Sequence, residues 1–263
     1  KEALFLGCMA IDRFLGMPTF PKLVELPAEG EYVFVGDTHG DMEASEKIFN
    51  MFPEARKVFL GDYVDRGKKS EENVEYLLDQ RERNPDQVAL LRGNHEGFRT
   101  LEFGPCDFWM KAISEGEHNN YSDLFDKLPL AVSVGPIIAT HGGLPELENL
   151  ADINDIELGD RNWQIITWGD WKDDPGSFLY DNFLRPNYGQ GHFDETMARF
   201  GKEVMIRGHN QQDPISRYGG KLVTVFTSNA YGDKYPRKVA VANFDKKSKI
   251  SSIQDLDIVD IDV

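Results

Sequence analysis

Two stretches decide the fold: Tyr32-Val33-Phe34-Val35-Gly36-Asp37-Thr38-His39-Gly40 and Lys57-Val58-Phe59-Leu60-Gly61-Asp62-Tyr63-Val64-Asp65-Arg66-Gly67. Each is a short apolar run that stops at a glycine and a cluster of polar side chains, the pattern of a buried strand ending in a loop. Asp41 to Phe52 separates them, and Ser70 to Arg83 follows the second. In the latter, Val74, Leu77 and Leu78 recur at i, i+3 and i+4, the apolar stripe of an amphipathic helix. Further runs of the strand type are Val88-Ala89-Leu90-Leu91, Ile137-Ile138-Ala139-Thr140, Val204-Met205-Ile206 and Leu222-Val223-Thr224-Val225-Phe226. Strand–helix–strand order predicts an α/β architecture. Residues 97–128 read as helical and irregular, and 144–200 as a long insertion rich in Trp, Asp and Asn. In the tail, Asp255 to Val263 alternates Asp with Ile, Leu and Val, a segment that either adds an edge strand or frays.

Bulk properties narrow the function. The 263 residues suffice for one large domain with a substantial core, and 40% hydrophobic content is ordinary for a globular chain. With 29 basic against 45 acidic residues, the formal charge is −16, which disfavours binding to a nucleic-acid backbone. The two cysteines, Cys8 and Cys106, form no metal-type cluster and no disulfide framework, so a reducing, cytoplasmic setting is expected. Leu4, Cys8, Ile11 and Leu15 fit one face of a helix better than a signal peptide, and no run approaches the roughly 18 apolar residues of a membrane span. No membrane partner is expected. The chain begins with Lys rather than Met, which leaves a segment upstream of Lys1 open.

The chemistry sits where the apolar runs end. Gly36-Asp37-Thr38-His39-Gly40 follows the first run, and the second leads into Gly61 to Gly67. Arg92-Gly93-Asn94-His95-Glu96, His141-Gly142-Gly143 and Arg207-Gly208-His209 follow later runs. Four of the six histidines lie in these clusters, and only His118 and His192 lie outside. In open α/β sheets, ligands gather beyond the carboxyl ends of strands. A lone buried Asp or His is more often structural than a ligand. A set of carboxylates, imidazoles and an amide, all at strand ends, instead suits a first-row divalent metal; a Mg²⁺ or Ca²⁺ site would be nearly all oxygen. Two such ions, sharing one carboxylate, can clamp a phosphoryl group.

Taken in order, Gly-Asp-x-His-Gly, Gly-Asp-x-Val-Asp-Arg-Gly, Gly-Asn-His-Glu, His-Gly-Gly and Arg-Gly-His resemble the phosphoprotein phosphatase family of Ser/Thr protein phosphatases, within the metallophosphoesterases. The resemblance covers about residues 31 to 244 and implies a central β-sandwich flanked by α-helices, in a single catalytic domain over 1–263. It implies that Asp37, His39 and His209 bind a first metal and that Asn94 and His141 bind a second, with Asp62 bridging. His95 would be the general acid, oriented and kept charged by Asp65. Arg66, Asn94, Arg185 and Tyr231 would contact the substrate phosphate or its surroundings. The implied reaction is hydrolysis of phosphoserine or phosphothreonine in proteins by direct attack of a metal-bridging hydroxide. Manganese is the expected metal, with iron and zinc suited to the same ligands.

Departures from the family pattern point to a prokaryotic-type member. Arg185 is followed by Pro186-Asn187-Tyr188 rather than glycine. Trp168-Gly169-Asp170-Trp171 stands where eukaryotic members have Trp-Ser-Asp-Pro, and Thr227-Ser228-Asn229-Ala230-Tyr231 where they have Ser-Ala-Pro-Asn-Tyr. Trp163, Trp168 and Trp171 read as packing residues, and Asp170, Asp173 and Asp174 as solvated loop. The nearest competing function is diadenosine tetraphosphate hydrolysis. That branch carries Gly-Asn-His-Asp and lacks the aspartate behind the acid, whereas this chain has Glu96 and Asp65. A catalytically silent scaffold would have lost a ligand or the acid, and none is lost.

Overall fold

A computed structural model describes residues 15–16, 19–111, 115–182, 184–213, 215–232 and 235–263, with the side chains of 115–117 excepted. The expected N-terminal helix through Leu4, Cys8 and Ile11 lies outside the described residues. In chain order the strands are β1 (Leu23–Leu26), β2 (Glu31–Val35), β3 (Arg56–Phe59), β4 (Val88–Leu90), β5 (Ala131–Val134), β6 (Ile137–Thr140) and β7 (Asp170–Trp171). They continue with β8 (Phe178–Asn182), β9 (Arg185–Tyr188), β10 (Val204–Arg207), β11 (Ser216–Arg217), β12 (Leu222–Thr224), β13 (Lys238–Asn243) and β14 (Asp257–Asp260). The helices are α1 (Met42–Met51), α2 (Ser70–Arg83), α3 (Asp107–Met110), α4 (Glu115–Phe125), α5 (Arg161–Trp168) and α6 (Gln190–Phe200).

Two large sheets, ordered β1-β5-β6-β10-β12-β11 and β14-β13-β2-β3-β4, face each other, and a small sheet β7-β9-β8 lies in the 144–200 insertion. Each large sheet is buried on both faces, which explains why its strands read as unbroken apolar runs. In β2, Tyr32 and Phe34 point into the layer between the sheets, where they meet Val134, Ile137 and Val225. Val33 and Val35 point the other way, into a cluster with Ile48 of α1 and Leu77 of α2. Ile138 and Met205 of the opposite sheet pack outward against Trp163 of α5 and Phe193 of α6. The result is four layers, helices outside and two sheets within.

α1 begins where Asp41 caps it, its side chain accepting from the Ala44 amide. α2 spans the stretch expected from its Val74, Leu77 and Leu78 stripe. β2, β3 and β4 are mutually parallel, as are β6, β10 and β12. Their carboxyl ends all deliver loops to one end of the sandwich. There the two sheets are joined. Past the ends of β2 and β12 the chain forms a parallel bridge between Asp37 and Phe226, and the Gly36 amide donates to Thr227 Oγ1 at 2.9 Å.

One expectation is adjusted and one open alternative is resolved. The run to Phe226 leaves regular strand at Thr224, because Phe226 serves the inter-sheet bridge. The C-terminal alternation forms an edge strand, β14 pairing antiparallel with β13. Among the described residues no helix is long and apolar enough to cross a membrane. Phe34, fully buried between the sheets, and Met110, 76% exposed, bracket the packing energetics. Phe34→Ala is expected to cost about 3–5 kcal/mol in urea denaturation, whereas Met110→Ala should change stability by less than about 0.5 kcal/mol.

Candidate metal centre and active-site cleft

The site grows from loops in strained conformations. His39, Asp62, Asp65, Arg66 and His209 have φ of 45°, 56°, 68°, 69° and 73°. Tyr218 is the one other non-glycine residue with positive φ among the described residues. Such left-handed backbone costs on the order of 1–3 kcal/mol per residue and persists only where surroundings over-determine it. The surroundings here are visible. Glu96 accepts three backbone N–H groups, from Asp62 at 2.7 Å, Tyr63 at 2.8 Å and Gly93 at 2.9 Å. It thereby ties the loop after β3 to the loop after β4. That approach requires glycine at 93, where a Cβ would stand 2.1 Å from Asp62 Oδ1. Gly208 is constrained in the same way, since its Cβ would stand 2.4 Å from Asp37 Oδ1.

Within this frame the imidazoles are oriented by backbone carbonyls. His39 Nδ1 lies 2.7 Å from the Val64 carbonyl and donates to it, so Nε2 presents a lone pair to Asp37 Oδ2 and Asp62 Oδ2, each 3.8 Å away. His141 Nδ1 donates to the Leu60 carbonyl at 2.9 Å, and His209 Nε2 donates to the Trp168 carbonyl at 3.2 Å. Their remaining nitrogens, His141 Nε2 and His209 Nδ1, therefore face each other as acceptors at 3.1 Å. Asn94 Oδ1 and Asp62 Oδ2 stand 3.0 and 3.3 Å from the same His141 nitrogen. With both imidazoles neutral, four electron-pair donors thus converge without a donor hydrogen among them. Ligands held about 2.0–2.2 Å from one ion stand about 3 Å apart, so this spacing fits a cation. The donor set fits a first-row divalent metal.

Two groups of ligand-type atoms share one carboxylate: His39, Asp62 and His95, and Asp62, His141 and His209. All five side chains are buried. Electrostatics reflect the crowding. Burial favours protonation of Asp62, but His141, His95 and His39 outweigh it and hold its carboxyl far below the usual range. Asp37 moves the other way, to about 6, because burial and the Asp62 charge outweigh His141. Burial, with His95 beside it, lowers His39 to about 3, and burial together with Arg185 drives His209 well down. His95 is held above its ordinary value despite burial, through Asp62 and the hydrogen bond to Asp65.

A cleft of about 370 Å³ opens onto this centre. Of the eleven side chains expected from sequence, His39, Asp62, Arg66, Asn94, His95, Arg185, His209 and Tyr231 line it. Asp37, Asp65 and His141 lie behind, fully buried. His95 Nδ1 is 2.5 Å from Asp65 Oδ2, and the other Asp65 oxygen accepts from the Phe108 amide at 2.7 Å. Arg66 Nε donates to the Tyr231 hydroxyl at 2.9 Å, and Arg185 forms two hydrogen bonds to Asp170, at 2.8 and 3.1 Å. The profile of calcineurin-like phosphoesterases matches residues 31–213. The chain belongs to the calcineurin-like phosphoesterase family.

Relatives within this family extend beyond the chain. One, named "Probable serine/threonine-protein phosphatase", from Encephalitozoon cuniculi, is 32% identical over 260 residues, covering 92% of this chain and 54% of the relative. A PP2A-like serine/threonine-protein phosphatase of Candida albicans is 32% identical over 255 residues, covering 86% of this chain and 59% of the relative. The chain therefore spans little more than half the length of these relatives. In structure it resembles a Saccharomyces cerevisiae protein serine/threonine phosphatase, with a TM-score of 0.79 at 23% identity over 100% of this chain and 89% of that one. A cold-active protein-tyrosine phosphatase of Shewanella shares the fold at a TM-score of 0.57 and 16% identity, over 94% and 85% of the two chains. The expectation of a prokaryotic-type member is corrected: both curated relatives above are eukaryotic.

Most of the expected residues converge at this cleft, with two differences from the sequence reading. His209 was expected beside Asp37 and His39, but its imidazole joins Asn94 and His141; toward Asp37 it offers only its backbone amide, at 2.7 Å. The reason is strand order. β6 and β10 are neighbours in one sheet, so the residues that follow them meet. Asp170, read as solvated, is 5% exposed and joins Arg185 to the buried Arg207. Asp173 and Asp174 are exposed as expected, and Trp163, Trp168 and Trp171 are packed. His118 and His192 donate to the Trp109 and Leu144 carbonyls.

Glu96 and Asp170 are thus positioning residues that the sequence reading missed. Glu96 sits inside a motif that was read for its type rather than its contacts. Asp170 carried no signal, because its partners lie on β9 and β10. Removing the Glu96 carboxylate strands three amide donors, each worth about 1–3 kcal/mol when buried. Glu96→Ala is accordingly expected to lose about 2–5 kcal/mol in urea denaturation, and Glu96→Gln less, since one acceptor oxygen survives.

Proposed function

We propose that the chain is a metal-dependent phosphoprotein phosphatase that hydrolyses phosphoserine and phosphothreonine monoesters. The observation that carries this reading is the buried pair formed by His95 and Asp65 against two groups of ligand-type atoms. Asp37, His39 and Asp62 would hold one divalent ion. Asn94, His141 and His209 would hold the other, with Asp62 common to both. Mn²⁺ is favoured, and the mixed nitrogen and oxygen donors suit Fe or Zn as well. When bound, such ions supply Lewis-acid charge to the phosphoryl oxygens and lower the pKa of water.

The chain's own side chains supply the rest. Arg66 faces the cleft with its orientation set by Tyr231, and Arg185 is braced by Asp170; both guanidinium groups would grip phosphate oxygens. Asp65 accepts from Nδ1 of His95 and so directs the protonated Nε2 into the cleft. That proton passes to the leaving alkoxide as the phosphorus–oxygen bond breaks. The substrate class is supported by the serine/threonine phosphatase names of the two curated relatives and by the aspartate behind the acid. The catalytic unit is taken as a single domain with its motifs in 31–244.

Phosphate release after chelation and Mn²⁺ restoration, with a phosphoserine peptide and diadenosine tetraphosphate side by side, tests the reading. Turnover of the peptide is expected, and turnover of the dinucleotide alone would overturn it. His95→Ala should lower turnover by about 10²–10⁴-fold with metal content retained. Asp62→Ala should lose activity and bound metal together, measured by elemental analysis. Equal metal loss in both variants would count against the acid role.

A further inference from the structure

A second cavity of about 310 Å³ adjoins the cleft, and its walls include two residues of the first, His39 and Arg66. Beyond Arg66 its lining includes Gly67, Lys68 and Lys69, together with Asp41, Glu43, Asn229 and Ala230. The charges in this wall are unequal. Asp41 is committed to Arg237 at 2.7 Å and to the Asn229 amide at 2.9 Å. Glu43 is committed to Lys69. Among the described residues the Arg66 guanidinium donates to neutral oxygens, those of Tyr231 and Pro105. Lys68 is exposed and has no carboxylate partner among the described residues. Two uncompensated cations therefore flank one notch, in a chain whose formal charge is −16.

That local reversal of sign has a direct reading. An overall acidic surface repels acidic polypeptides, while a cationic notch beside the phosphate site attracts an acidic group that arrives with the phosphate. Because Arg66 borders both cavities, a phosphate in the cleft and a carboxylate in the notch would lie on either side of it. Resting on the phosphatase reading above, we propose that this notch is a specificity subsite. In it Lys68, beside Arg66, recognises an acidic residue next to the phosphorylated residue of a protein substrate.

The test uses the Mn²⁺-restored chain and three phosphoserine peptides that differ only in flanking residues: Glu, Ala or Lys. The wild type should favour the Glu peptide over the Ala peptide by about tenfold in kcat/KM, through KM, with the preference shrinking at high salt. Lys68→Glu should abolish that preference and raise kcat/KM for the Lys peptide, a charge swap that a folding defect would not produce. Equal kcat/KM for Glu and Ala peptides in the wild type would overturn the subsite while leaving the phosphatase reading intact. So would a Lys68→Glu variant that slows all three peptides alike. Hydrolysis of diadenosine tetraphosphate with none of the peptides would overturn both readings.

Discussion

Everything at this end of the molecule answers to one constraint: the crowding of buried polar side chains around a single oxygen, Asp62 Oδ2. His39, His95 and His141 nitrogens lie 3.8, 3.9 and 3.3 Å from it, all on buried side chains at the floor of the cleft. Left to itself such a cluster would spread apart, since unpaired buried acceptors are costly. The fold prevents this by holding the backbone in conformations that side-chain-bearing residues avoid. Glu96 then fixes Asp62 and Gly93 from behind through amides, and carbonyls of Leu60, Val64 and Trp168 lock the imidazole orientations. Stability is thus spent on the pre-organisation of this cluster.

The surrounding architecture can be read as the minimal means of bringing such residues together. Parallel strands deliver their following loops to the same end, and two sheets packed face to face double the number of loops that meet there. One sheet contributes Asp37, His39, Asp62, Asn94 and His95, and the other His141 and His209. The 144–200 insertion supplies the wall of the cleft, including Trp168 and Arg185. Its conformation depends on α5, α6 and a small sheet rather than on an extension of the sandwich.

Much of this was legible because the signals were local. Tyr32 to Val35 and Ile137 to Thr140 are apolar on both faces, and that continuity is what a strand covered on both sides requires. α2 announced itself through Val74, Leu77 and Leu78. The convergence of the Asp, Asn and His side chains was legible because each follows a strand. Their division between two groups was not, because that depends on which strands are neighbours. His209 follows β10, and β10 lies beside β6, so His209 meets His141. Asp170 was misread for the same reason. An aspartate in a polar run looks solvated until Arg185 and Arg207 arrive from other strands. Glu96 was noticed as a letter in a motif, while its three amide contacts belong to tertiary structure.

The bridge between Asp37 and Phe226 has a wider meaning. It stitches the two sheets together beside the cluster of ligand-type atoms, so that cluster spans the seam. A cation engaging both halves would act as a rivet across the sandwich, and its binding free energy would add to the free energy of closing the sheets. Folding and loading would then be two views of one equilibrium. Conditions that strip the centre would weaken the grip of one sheet on the other, and a chain with parted sheets would have no centre to load.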